Sequence, residues 1–370
     1  MRDGWNETKL GKYIHINTGK LDVNAASEFG EYPFFTCSRE TYRIDEAAFE
    51  GECVLVAGNG DLNVKYYDGK FNAYQRTYIL NSVDRKILDN RFLFLYMQTY
   101  IEYLRSETRG TVIQYLKKGQ FTDAKIKLPP LPEQKRIVDL ISSVDSYIQA
   151  LQQQQNFAKQ MLQALSQKTF LAQGDFVQLH TVATCIMGQS PEGATCNKDG
   201  IGTPLLTGPT EFQKNNWVGP PRQWTTNETK ISISQDILFC VRGATAGRMN
   251  LTNYRSVIGR GLAAIRCEDP LDTHFVRFAL QFGLNQLLPA AGGTIFPNIS
   301  QSQLRNFKLP WPSETGRRSL ANLLKSVEDN AETLSQNIIA TKNLRFSLLN
   351  ALLNGEHEIP ASYDKVMGAA

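Results

Sequence analysis

The chain has no Cys-x-x-Cys pair. Its six cysteines (Cys37, Cys53, Cys185, Cys196, Cys240 and Cys267) are as dispersed as its four histidines (His15, His180, His274 and His357). That scatter argues against a zinc finger or ribbon and predicts reduced thiols in a cytoplasmic protein without a metal site. No stretch reaches the roughly 18 apolar residues of a membrane span. Residues 1–6 hold no apolar run either, so no secretory signal is expected there.

Catalytic signatures are missing too. Gly58-Asn59-Gly60 is a lone turn, with no Gly-x-Gly-x-x-Gly opening a helix after a strand. Gly243-Ala244-Thr245-Ala246-Gly247 lacks the Lys-Ser/Thr that a phosphate-binding loop needs to grip phosphate and magnesium. There is no Asn-Pro-Pro-Tyr-like sequence to hold a flipped base and no paired-strand acidic nuclease core. Neither Ser38 nor Ser190 has a histidine partner in its sequence context. These absences favour recognition or scaffolding over catalysis, with no cofactor in this chain.

What is present is a repeat. Gly110-Thr111 precedes Leu128-Pro129-Pro130-Leu131-Pro132-Glu133 and a long helical pattern over about 133–172. Gly293-Thr294 precedes Leu309-Pro310-Trp311-Pro312-Ser313-Glu314 and a second such pattern, to about 355. Upstream, Lys9-Leu10 and Gly19 match Gln178-Leu179 and Gly188, and Pro33 and Thr36 match Pro204 and Thr207. The run Val54-Leu55-Val56 before Gly60 matches Ile237-Leu238-Phe239 before Gly243. Arg76 falls near Arg260, and residues 92–98 fall near 275–281. The offset drifts between 169 and 184, far longer than a solenoid period. The pattern predicts an α+β protein with two similar globular domains, at 1–128 and 173–309. Each is followed by a proline elbow and a long helix, at 129–172 and 310–355, and 356–370 forms a tail. A pseudo-twofold repeat of this kind suits a partner with two half-sites, of which duplex DNA is the obvious one.

Within the domains, residues 52–57 read as a short strand ending in a turn, and residues 65–71 as a hairpin about Asp68-Gly69. Residues 91–104 read as a helix with Leu95, Tyr96, Ile101 and Leu104 on its core face. Prolines 129, 130 and 132, and 310 and 312, fix φ and stop the domains sharply, making stiff elbows.

Both long helices keep a seven-residue register. In the first, Ile137, Val144, Leu151, Ala158 and Leu165 repeat, with Leu140, Tyr147, Gln154, Met161 and Lys168 three positions on. In the second, Leu320, Val327, Leu334, Thr341 and Leu348 repeat, with Leu323, Asn330, Asn337, Leu344 and Ala351. Supporting rows at Ile141, Ile148 and Leu162, and at Leu324, Ala331, Ile338 and Leu352, broaden both stripes. The predicted helix–helix interface is Ile137, Val144, Leu151, Ala158 and Leu165 against Leu320, Val327, Leu334 and Leu348, as an antiparallel coiled coil. The polar centres, residues 152–155 with Asn330 and Asn337, either fix register when buried or face water. At 1.5 Å per residue, about 40 residues span roughly 60 Å.

Net charge is +4 over 370 residues. Residues 1–128 hold 18 Lys+Arg against 17 Asp+Glu, and 173–312 hold 12 against 9. DNA binding therefore requires clustered basic side chains or a partner that supplies further phosphate contacts. The same charge removes a strongly acidic DNA mimic.

Lys127-Leu128-Pro129-Pro130-Leu131-Pro132-Glu133-Gln134-Lys135-Arg136-Ile137-Val138 closely resembles the motif that follows each target recognition domain in specificity subunits of Type I restriction-modification systems. The second copy, Lys308-Leu309-Pro310-Trp311-Pro312-Ser313-Glu314, keeps the Glu but has Thr315 and Gly316 where the first has Gln-Lys. Further matches are residues 5–19, Gly188-Gln189-Ser190-Pro191, residues 237–247 and Gly293-Thr294. The resemblance covers essentially the whole chain. It implies a non-catalytic DNA reader, each domain taking one half of a split, asymmetric sequence. The helices would act as a ruler between half-sites and dock two modification subunits, which bind S-adenosylmethionine and methylate adenine. Restriction subunits can join them. The competing reading is a coiled-coil adaptor whose two domains bind protein.

Base readers belong on loops at one rim of each domain. The candidates in the first domain are Ser38, Arg39, Asn59, Asn63, Lys65, Gln75, Arg76 and Arg109, with Lys117 and Lys118 as phosphate contacts. In the second they are Thr210, Lys214, Arg222, Arg242, Arg248, Arg255 and Arg260. Arg pairs bidentately with guanine, and Asn or Gln with adenine. The alternative for each is a solvated charge or an internal salt bridge. Arg76 and Arg260 stand out because the repeat places an Arg near both positions. Tyr66, Tyr67, Trp217 and Trp224 either stack on DNA or pack within the domains.

Overall fold

The computed structural model describes residues 4–107, 115–171, 175–290 and 297–367. Gly110, Thr111, Gly293 and Thr294 lie outside the described residues. Contacts divide the chain into two units, one of residues up to 150 with those from 338 onward, the other of residues 151–337. Each unit holds one α+β domain and a stretch of both long helices.

In the first domain a four-stranded antiparallel sheet has the order Ile14–Thr18, Thr77–Ser82, Cys53–Ala57, Val64–Tyr67. Cys53–Ala57 is buried at every position because it is covered on both faces, as its unbroken apolar run requires. Val54 and Val56 join the main core, while Cys53 and Leu55 join a smaller cluster with Phe35 and Phe71. That cluster belongs to a second, mixed sheet ordered Tyr42–Ile44, Tyr32–Phe35, Lys70–Ala73, Phe49–Glu50. The expected hairpin about Asp68-Gly69 does not form. Val64–Tyr67 pairs with Cys53–Ala57, whereas Lys70–Ala73 crosses to the second sheet and runs parallel to Tyr32–Phe35. Burial of Phe71 and Ala73 against Phe35 and Phe49 outweighs the local turn signal.

Helix α1 (Asn90–Glu107) buries Phe92, Leu93, Leu95, Met97 and Ile101 against the main sheet, with Tyr96 and Leu104 partly buried. The Asp89 carboxylate accepts from the Arg91 and Phe92 amides at 2.8 and 3.0 Å and so caps its start. Helix α2 (Lys118–Thr122) leads into Lys125–Leu128, which pairs with Asn6–Lys9. The chain then turns at Pro129 and Pro130 into α3 (Leu131–Leu171).

The second domain repeats this plan. Its main sheet is ordered Ala183–Met187, Leu262–Cys267, Ile237–Cys240, Met249–Leu251. A second sheet carries the same parallel pair, with Leu205 and Leu206 against Val257 and Ile258. Phe176–Gln178 pairs with Lys308–Pro310. Helices α4 (Thr273–Ala290), α5 (Gln301–Arg305) and α6 (Glu314–Asn354) follow, and α7 (Tyr363–Met367) closes the described chain. Gly19 and Gly188 are equivalent and required, since a Cβ would lie 2.0 Å from the Ala73 carbonyl oxygen and 2.2 Å from that of Gly259.

The long helices pair antiparallel within each unit. In the first, Lys127 at the elbow donates to the Asn354 carbonyl at 3.1 Å, and further along Arg345 grips Asp145 with two hydrogen bonds. In the second, Gln155 donates to the Ala331 carbonyl at 3.4 Å, and Leu162 and Leu165 reach the core that holds Ala321 and Leu324. Of the expected interface, Ile137, Leu151, Ala158 and Leu334 are buried, and Val144, Leu165, Leu320, Val327 and Leu348 are half-buried. The row beside them is the supporting one: Ile141, Ile148, Leu324, Ala331, Ile338 and Leu352 are buried. In the row three positions on, Tyr147 (56% exposed) and Leu344 (64%) turn outward, while Leu140 and Ala351 are half-buried. Gln153, Gln154, Asn330 and Asn337 are exposed, while Gln155 brings its amide to the seam. Among the described residues, no helix is long and apolar enough to cross a membrane.

Candidate nucleic-acid interface

At one rim of the first domain, segments distant in sequence are tied by backbone hydrogen bonds. The Tyr74 amide donates to the Phe35 carbonyl at 2.9 Å, Gly58 to Arg76 at 2.8 Å, and Leu116 to Gly58 at 2.8 Å. The second domain repeats each bond: Gly259 to Leu206 at 2.8 Å, Val241 to Gly261 at 3.0 Å, and Ile299 to Val241 at 2.8 Å. This shared frame sets the equivalences more firmly than sequence does. Asn59 corresponds to Arg242, Gln75 to Arg260, Arg76 to Gly261, Tyr115 to Asn298 and Lys117 to Ser300. The expected match of Arg76 with Arg260 is thus wrong by one residue, because the connections between strands differ in length. Gly60 and Gly243 share a left-handed φ of +67° and +79°, which turns both loops alike.

On this frame Gln75, Arg76, Lys117, Lys118, Arg242, Arg248 and Arg260 are exposed, and Asn59 is half-buried. Arg76 lies over the Tyr115 ring at 5.2 Å. The Arg260 amide donates to the Ser190 hydroxyl at 3.3 Å, leaving its guanidinium on the surface. Thr210, Lys214 and Arg222 are exposed on the 209–222 segment, which Asn250 ties down through the Gln213 and Trp217 carbonyls at 2.9 and 2.7 Å.

Other candidates are engaged within their domains. Arg39 pairs with Asp61 and holds that carboxyl below its usual range. Asn63 donates to the Cys37 and Asp61 carbonyls at 2.9 and 2.8 Å. Lys65 donates to the carbonyls of Ser38 and Glu40 at 2.9 and 3.0 Å, and partial burial lowers its pKa. The hydroxyl of Ser38 accepts from the Glu40 amide at 3.1 Å. Arg255 pairs with Glu228 at 2.6 Å. These contacts shape the 37–40 and 228–255 edges of the rims. Arg109 lies outside the described residues. The four aromatic candidates pack internally: Tyr66 bonds Glu52 and lies beneath Arg91, Tyr67 packs on Phe35 and Phe71, Trp217 joins the second core, and Trp224 sits in a paired strand.

Sequence reasoning passed over Tyr115, Asn298 and Ser300, for lack of any motif. Gln134 entered the sequence reading only as part of the elbow motif, with no role of its own. That side chain is fully buried at the first elbow, donates to the Ile87 and Pro129 carbonyls and accepts from the Asp89 amide.

The helices present a second surface. In the second unit Gln153, Phe157, Met161, Val327, Asn330 and Leu334 line an open groove of about 620 Å³, with Phe157 68% exposed. The equivalent positions for Leu323, Val327, Asn330 and Met161 in the first unit carry Leu140, Val144, Tyr147 and Leu344.

A duplicated α+β domain, each copy followed by a proline elbow and a 41-residue helix, defines the class of protein. The chain belongs to the family of the Type I restriction modification DNA specificity domain, whose profile matches residues 2–159 and 174–341. It is 38% identical over 178 residues to the Type I restriction enzyme EcoDI specificity subunit of Escherichia coli, covering 47% of this chain and 39% of that protein. It is 22% identical to the Type I restriction enzyme MjaVIII specificity subunit of Methanocaldococcus jannaschii, over 96% of this chain and 93% of that one. Its fold matches the S subunit of a Type-I restriction-modification system from M. genitalium with a TM-score of 0.65 at 15% identity, covering 96% of this chain and 97% of the other.

Proposed function

We propose that the chain is the specificity subunit of a Type I restriction-modification complex and reads a bipartite, asymmetric DNA sequence, one domain per half-site. The observation that carries this is the pair of rims. One backbone frame presents Asn59, Gln75, Arg76 and Lys117 in the first domain and Arg242, Arg260, Gly261 and Ser300 in the second. The same scaffold with different hydrogen-bonding side chains is what two different half-sites demand.

The chain itself performs no chemistry. Its partners are two adenine methyltransferase subunits, which supply S-adenosylmethionine, joined by restriction subunits. The apolar residues repeated on the outward faces of the helices support two docking places of one kind. The helices, each about 60 Å by rise per residue, set the gap between half-sites. Methylation mapping with the partner methyltransferase tests this reading. Modified sites should share two constant half-sites separated by a gap of fixed length and variable sequence. A single continuous motif would overturn the bipartite reading.

A further inference from the structure

We infer that Tyr115 is a positioning residue that holds Arg76 to read a guanine, and that among the described residues only the first domain shows this device; the inference rests on the DNA-reading function proposed above. Tyr115 is 57% exposed at the rim and follows no apolar pattern. Its neighbour is anchored, since the Leu116 amide donates to the Gly58 carbonyl and Gly58 in turn to the Arg76 carbonyl, both at 2.8 Å. The backbones of residues 76 and 115 are therefore fixed to the same strand end. The Arg76 guanidinium lies over the Tyr115 ring at 5.2 Å, within the range of cation–π attraction.

A guanidinium held over an aromatic ring, rather than by a carboxylate, keeps its N–H donors available for O6 and N7 of guanine in the major groove. The aromatic support removes rotamer freedom before DNA arrives, so less is lost on binding. In the second domain the same two backbone positions carry Gly261 and Asn298, the adjacent Arg260 sits where the first domain has Gln75, and the Arg242 backbone bridges Asn298. Thus the two rims differ in mechanism as well as in residue type. A ring-supported arginine reads one half-site, while the described residues of the other place Gly261 and Asn298 at these two positions.

The test is competitive binding of the full chain, with its partner methyltransferase, to duplexes carrying every single base-pair substitution in both half-sites. A parallel set replaces each guanine by 7-deazaguanine, which removes the N7 acceptor. Wild type should show one G·C pair in one half-site where 7-deazaguanine weakens binding on the order of tenfold. Both Arg76→Ala and Tyr115→Ala should lose discrimination at that same pair, and the double variant should lose little more than either alone. Tyr115→Phe, which keeps the ring, should behave as wild type. Discrimination in the other half-site should be unchanged in every variant, which shows that each one is folded. The inference is overturned if Tyr115→Ala weakens all sequences equally, if Tyr115→Phe fails like Tyr115→Ala, or if no pair responds jointly to both residues. Absence of any bipartite preference in wild type would instead overturn the DNA-reading function, and the inference with it.

Discussion

Gln134 and Arg317 occupy equivalent places at the two elbows, their amides bonding the Pro130 and Ser313 carbonyls alike, and secure them with different chemistry. The sequence match of Gln134 with Thr315 is thus two residues short. Gln134 donates to the carbonyls of Ile87 and Pro129 at 2.7 and 2.9 Å and accepts from the Asp89 amide at 2.9 Å. Arg317 makes a two-pronged pair with Asp272 at 3.0 and 2.9 Å and donates to the Pro312 carbonyl at 2.9 Å. Each joins the first turn of a long helix to the segment just before its domain's own helix and to a proline of the elbow. The elbow is thus held by polar contacts as well as by proline stiffness.

Gln134→Ala should therefore destabilise the chain. It leaves two carbonyls and one amide without their partner in a fully buried place, at a cost of about 1–3 kcal/mol for each group left unsatisfied. Denaturant titration of the full chain measures the loss. A change below about 0.5 kcal/mol, the range of ordinary surface substitutions, would mean that water replaces the amide.

The second unit has a stronger restraint. Arg277 on α4 is 1% exposed, bonds Glu328 on α6 and lies over the Phe278 ring at 4.2 Å. Breaking a buried pair from one side leaves a charge uncompensated, so Glu328→Ala should cost roughly 3–5 kcal/mol. Nearby, burial and the positive charges of Arg277 and Lys325 hold His274 below its ordinary value of 6.5, against the opposing pull of Asp329. The unfolded chain then binds a proton that the folded one refuses. Stability from this residue is complete above about 6.5 and falls as pH drops through it toward the folded value. Wild type should lose more in melting temperature than His274→Gln between about pH 7.5 and about pH 5.5. Parallel losses would place the titration elsewhere.

Gln75 and Arg260 share one backbone position, so their substitution should act on opposite half-sites. Gln75→Ala should relax recognition in one and Arg260→Ala in the other, each by roughly 1–3 kcal/mol at a single base pair. A base-substitution binding scan measures both. A uniform loss across all sequences would assign the side chain to phosphate.

The ruler proposal predicts a change in spacing. Seven residues inserted after Gln153, with seven more after Gln336 at the same place in the repeat, keep both apolar stripes in phase and add roughly 10 Å to the pair. Methylation mapping should then show unchanged half-sites with a gap longer by about three base pairs. If the gap stays constant while both half-sites are still modified, the partner subunits set the spacing.

The isolated chain should show no methyl transfer to DNA from labelled S-adenosylmethionine. Addition of the partner methyltransferase should restore it. Robust turnover by the chain alone would contradict a purely recognising role.

The amino-acid sequence by itself determined the repeat, the elbows and the two long helices. These signals are local: proline fixes φ wherever it stands, and a seven-residue apolar period describes one helix face regardless of what covers it. It also marked residues 52–57 as a short strand and 237–239 as the matching run, while the fold made both central strands covered on both faces. Tertiary structure decided which of two apolar rows becomes the seam. Ile141 and Ile148 are buried while Tyr147 turns outward, and both rows satisfy the same period until a partner helix takes one of them. It decided that Lys70–Ala73 leaves its apparent hairpin, because burial of Phe71 in a distant cluster outweighs an Asp-Gly turn. At the rims the margin was a single residue. Sequence offset matched Arg76 to Arg260, whereas the hydrogen bonds from Gly58 and Val241 match Arg76 to Gly261. Connection lengths differ between the copies, and only the pairing of backbone groups across the sheet fixes which side chain reaches the edge.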